Sequence, residues 1–178
     1  MDLMDLFKKS GAGKSVGEIG SALGIGDAQS QQLVKALAPA LTRGLLKQAA
    51  SSEGRGALQE ALDRGDHAKY INHPELLQFG AAQDDGNKIL GHLFGSKRVS
   101  RSVAAKAAEE TGIDAALIKK ALPLVAGVAM GALGKSAAPK SESSAGADLG
   151  GLLGDLVSGG TAREEDFKPL LSLAKKIF

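Results

Sequence analysis

The chain has 178 residues, a formal net charge of +2 and no cysteine. That length suits one domain with a packed core and no covalent staples, while the missing thiols exclude a disulfide framework, a cysteine nucleophile and a cysteine zinc site. Acids and bases are interspersed and only 3% of residues are aromatic, Tyr70 being the single tyrosine and tryptophan absent; such a chain offers neither an extended basic face nor rings on which bases could stack.

The opening MDLMDLF reads as helical. It carries acids and no long apolar run, so it does not resemble a secretory signal, and a cytoplasmic location is expected. Gly11-Ala12-Gly13-Lys14-Ser15 ends like a phosphate-binding loop, but Lys8 stands where the motif needs its first glycine and no strand precedes it. A turn followed by a helix start explains these residues better. Ser15 and Glu18 have capping-box spacing, Val16, Ile19 and Leu23 share a face, and Gly24 stops the helix. Asp27 is then expected to cap a long helix with the stripe Leu33, Val34, Leu37, Leu41 and Leu45, kinked or broken at Pro39.

A short helix with Leu58 and Leu62 is expected from Gly54 to Gly65. Pro74 reads as the first position of another helix, followed by Leu76, Leu77 and Phe79. Asp84 or Asp85 is expected to open the next, with Ile89, Leu90, Leu93 and Phe94 as its face and Gly95 as its stop. The early phrase then returns 87 residues on: Ser102-Val103 answers Ser15-Val16, Asp114-Ala115 answers Asp27-Ala28, and Gly131 and Leu133 answer Gly44 and Leu46. The shared shape is short helix, glycine turn, long apolar helix, the second long helix interrupted by Pro123. No segment alternates with period two, so no strands are expected.

The longest uncharged apolar stretch, Ala121 to Gly134, falls short of the ~20 residues needed to span a bilayer, so no transmembrane segment is expected. Gly127 and Gly131 within it suit a tightly packed central helix. SAAPKSESSAGAD, residues 136–148, has linker composition. In residues 149–178, LGGLLGDLV precedes a terminal amphipathic helix opened near Thr161–Asp166, with Lys175 and Lys176 in its last turn. The expected organisation is an all-α, multihelical irregular array with two related halves over residues 1–135, a linker over 136–148, and an apolar tail over 149–178.

Gly86 to Lys135 contains GNKILGHLFGS, TGID and ALPLVAGVAMGALGK; upstream lies ALGIGDAQSQQLVKALAPALTRGL, and LGGLLGDL follows late. In these segments the chain resembles the YidB-like family of small bacterial proteins, a domain of unknown function. The resemblance implies a multihelical all-α domain and brings no activity, cofactor or catalytic residue.

Catalytic chemistry finds no constellation. Asp84-Asp85 and Glu164-Glu165-Asp166 are adjacent carboxylates that read as solvated or capping, and no nucleophile motif is present. His67, His73 and His92, the only histidines, lack ligand spacing and read as exposed, capping or boundary residues. No catalytic residue, cofactor or metal is assigned. The leading expectation is a non-catalytic protein-interaction or self-assembly module that docks through Leu149, Leu152, Leu153, Leu156, Phe167, Leu170, Leu171 and Phe178. Two alternatives stand beside it. Ala108, Gly112, Ile113, Asp114 and Ile118 have helix-turn-helix spacing, which would make Lys97, Arg98, Arg101, Lys119 and Lys120 phosphate contacts on nucleic acid. The terminal helix, with Lys168, Lys175 and Lys176 beside an apolar face, would suit a membrane surface.

Overall fold

The computed structural model describes residues 3–137, which form eight α-helices and one short 3-10 helix, with no strand among the described residues. In chain order these are α1 (Leu3–Ser10), α2 (Gly13–Leu23), α3 (Asp27–Ala49), α4 (Ser52–Arg64), α5 (Lys69–Asn72), the 3-10 turn Pro74–Gln78, α6 (Gly80–Phe94), α7 (Lys97–Thr111) and α8 (Ala115–Ala137). The expected all-α class holds.

The axis of the fold is α8. Every other α-helix packs against it, and every residue from Ala121 to Leu133 is buried. The cause lies in its composition: with no charge over that stretch, the helix has no face that prefers water. By length and composition α8 would cross a membrane, with a mean hydropathy of 1.6 over Ala115–Ser136, but 78% of its most apolar stretch is already buried by the fold itself. The uncharged stretch alone made the segment look too short; the helix is longer because Ala115–Lys120 and Lys135–Ala137 extend it at both ends.

Small residues set the approach distances. Gly86 of α6 sits against the backbone of Pro123, and Gly131 sits against the backbone carbonyl of His67; a Cβ at either position would collide with main chain. Gly127 faces the Tyr70 ring at van der Waals distance. The small-residue stripe is therefore the packing surface of a central helix.

Both halves contain the anticipated unit. In the first, α2 ends at Gly24 with φ 69° and α3 follows; in the second, α7 ends at Gly112 with φ 70° and α8 follows, and α3 and α8 each have 23 residues. Positive φ is readily available only to glycine, which is why these two stops were legible. Neither proline ends its helix. Pro39 is exposed, as is Lys35, whose carbonyl loses its helical partner and can turn to water. Pro123 is enclosed on all sides by neighbouring helices, and that packing outweighs the local cost of about 3 kcal/mol.

Several expected helix starts move. Ser15 caps nothing: α2 begins at Gly13, and Ser15, fully buried, donates its hydroxyl to the Tyr70 carbonyl at 2.8 Å. A long-range contact has taken the side chain that local spacing assigned to a cap. Asp27 is the first helical residue after Gly26 and makes no capping bond. The helix expected from Gly54 starts two residues earlier, where the Ser51 hydroxyl accepts the Gly54 N–H at 3.0 Å. Asp84 and Asp85 lie inside α6, which starts at Gly80. Phe79 is 61% exposed and does not join Leu77 in the core. Asp114 does cap α8, its Oδ1 accepting the Ala116 N–H at 2.7 Å.

Candidate functional site

Among the places that bring polar or apolar groups together, three differ in what they leave free. The first is a cluster around Tyr70. Its ring is buried against α8, and its hydroxyl donates to Asp85 Oδ2 at 2.5 Å. Lys69 Nζ lies 3.5 Å from the same carboxylate oxygen and 5.1 Å from the Tyr70 ring centre. Burial and the Asp85 bond push the phenol far above its usual range, and the Tyr70 hydroxyl in turn holds Asp85 below the usual carboxylate range. His67 stacks on Tyr70 with ring centres 6.4 Å apart and has a buried Nδ1 without a hydrogen-bond partner; burial holds its pKa below 6.5. The phenolic proton is committed to Asp85, so no poised acid or nucleophile faces a cavity. The cluster ties α5 to α6 over α8. Sequence reasoning missed it because residues 70 and 85 share no short-range spacing.

The other histidines lie outside it. His73 is exposed, 3.2 Å from Glu75. His92, expected at a boundary, is exposed; its backbone carbonyl accepts from the Gln48 side chain. Among the described residues no group of three or more His, Cys, Asp or Glu could hold a metal ion.

The second place is an apolar groove of about 610 Å³ between α3, the end of α6 and α7. Its wall is made by Ala40, Gly44, Leu93, Phe94, Val99 and Val103, with Arg43 and Lys47 at the edge and the Lys106–Glu110 pair, 3.9 Å apart, on α7. Gly44 lets α6 close in: a Cβ there would stand 3.1 Å from the Phe94 ring and 3.2 Å from Leu93 Cβ. Val99 remains 42% exposed.

The third is a pocket of about 520 Å³ where the start of α7 meets α8 and α6, with more apolar than polar surface in its lining. Lys97, Arg101 and Lys119, three of the five residues read as phosphate contacts, line it together; Arg98 and Lys120 are exposed but are not in its lining. Its lining contains no carboxylate. The helix-turn-helix spacing is present as α7, Gly112 and α8, but after Lys120 α8 is enclosed from Ala121 to Leu133. A recognition helix lies in the major groove and needs a free side to do so.

All eight apolar tail residues named as docking candidates, Leu149 through Phe178, lie outside the described residues, as do the terminal helix and most of the expected linker; α8 itself runs to Ala137. No curated relative and no solved structure matches the chain. A family model does, over residues 5–136, and the YidB-like resemblance agrees with it. With its all-α fold and that match over most of its length, the chain belongs to the bacterial family of proteins of unknown function described as DUF937.

Proposed function

We propose that this protein is a non-catalytic helical interaction module in which the groove between α3, α6 and α7 receives the apolar segment 149–178 of the same chain. The observation that carries the reading is the groove itself: an apolar wall left open with Val99 exposed, bordered by Arg43 and Lys47, which form no ion pair with any described residue. The segment has a complementary composition, with Glu164, Glu165 and Asp166 immediately before Phe167 and the leucine pair Leu170-Leu171. Reach is sufficient. Residues 138–148, fully extended, span roughly 36 Å, against a radius of gyration of about 14 Å expected for a domain of this size. A tethered segment binds at an effective concentration in the millimolar range, so even a weak groove is occupied.

The absence of cysteine makes the test clean. A nitroxide on Ser172→Cys, in the full chain, is expected to broaden amide signals of Ala40, Arg43 and Val103 selectively. Val99→Asp should abolish that broadening while leaving the rest of the spectrum in place. Broadening that is uniform, or that falls on another face, would remove the reading. Mixing isotope-labelled unmodified chain with unlabelled spin-labelled chain separates the two geometries: broadening there assigns the groove to the tail of a second copy.

A further inference from the structure

We infer that the pocket between the start of α7 and α8 is a binding site for a small phosphate-bearing ligand, separate from the groove and independent of the interaction reading. Three cations converge there from two helices. Lys97 and Arg101 are four residues apart and so share one face of α7, and Lys119 reaches in from the first turns of α8. None of the three pairs with a carboxylate among the described residues, a property they share with Arg98 and Lys120; what sets them apart is that they line one pocket together. All three side chains are exposed and line one concave space, where a dianion would be attracted by each of them.

The remaining lining fits the same class. Ser96, Ser100 and Asn87 add neutral hydrogen-bonding groups, and Arg101 supplies the planar fork that matches a phosphate bidentately. The first N–H groups of α7 add positive potential at the same rim, although the side chains alone define the site. Leu90 and Leu122 make an apolar floor, with no aromatic ring in the lining. The space, about 520 Å³, falls in the small-molecule range and exceeds what a bare phosphate fills. The ligand is therefore a phosphate monoester with a compact aliphatic or sugar part, free or as a lipid headgroup, and not a base that needs stacking.

The test follows backbone amides of the full chain during titration with inorganic phosphate, glycerol phosphate and a short DNA duplex. Saturable shifts confined to residues 95–101 and 119–122, tighter with glycerol phosphate than with inorganic phosphate, are expected. Arg101→Gln and Lys119→Gln should each weaken binding by roughly tenfold, as loss of one charge-assisted contact does. Arg98→Gln and Lys120→Gln, exposed cations outside the lining, should leave it unchanged, and all four are surface changes that spare the fold. Equal losses in both pairs would mean diffuse charge attraction and would overturn the site. So would shifts that never saturate, or saturation by the duplex alone. Glycerol phosphate bound in solution identifies a free ligand; capture only by vesicles containing phosphatidic acid, lost in Arg101→Gln, identifies the same chemistry on a lipid.

Discussion

The two halves of the molecule use one design for different ends. Each has a helix, a left-handed glycine and a 23-residue helix with proline inside it. Yet α3 buries one stripe and presents Gln31, Gln32, Lys35 and Lys47 beside the surface, whereas α8 is enclosed from Ala121 to Leu133. Similar helix grammar therefore does not fix where a helix sits. The distribution of charge along it decides, because a buried unpaired charge costs more than a local propensity can recover.

Matched substitutions test this difference. Gly131 and Gly44 occupy corresponding positions, but a Cβ at 131 would collide with the His67 carbonyl oxygen, while one at 44 would come no closer than 3.1 Å to the Phe94 ring and 3.2 Å to Leu93 Cβ. Gly131→Ala should cost about 3 kcal/mol and Gly44→Ala about 1 kcal/mol in urea denaturation. Equal costs would break the contrast between an enclosed and a half-exposed helix. Ser15 and Ser102 form a second pair. Ser15→Ala strands the buried Tyr70 carbonyl and should cost about 1–2 kcal/mol, while Ser102→Ala, at an exposed site, should stay within about 0.5 kcal/mol. Gly24→Ala and Gly112→Ala sharpen what the halves share. Both force alanine to φ near 70° and should cost about 1 kcal/mol each, equal within error.

Acidification supplies a test confined to one side of α8. His67 and Asp85 both have folded pKa values below their unfolded ones, so the unfolded chain takes up protons first. The His67 contribution is complete above pH 6.5 and is lost as pH falls from there through its folded value. The Asp85 contribution is lost below its ordinary 3.8. Denaturation midpoints should fall in two steps on acidification, and His67→Gln should remove the upper one; a single step at carboxylate pH would show that His67 is free to charge in place.

The sequence made the punctuation legible and the tertiary contacts illegible. Gly24, Gly95 and Gly112 stop their helices because their backbone conformation excludes most side chains, a requirement that is local and hence readable. Ser15 misled because the spacing of a capping box says nothing about a carbonyl 55 residues away. Asp85 misled for the same reason: a carboxylate that pairs with Tyr70 inside α6 looks, in sequence, like one that opens a helix. Of the five cations read as phosphate contacts, spacing alone could not tell the three that line one pocket from the two that do not. The groove was not foreseen, since it exists only where three helices fail to close.

The enclosed helix also sets an order of events. Because α1 packs on α8, the chain's first described helix must find one more than 100 residues further along. Synthesis delivers α8 last of the described elements, so α1 to α7 emerge with their apolar faces open and no axis on which to close. Contacts of such long range slow folding even in an all-helical protein. This family member is therefore expected to fold late in its own synthesis, and to be most exposed to misassociation just before residue 137 is made.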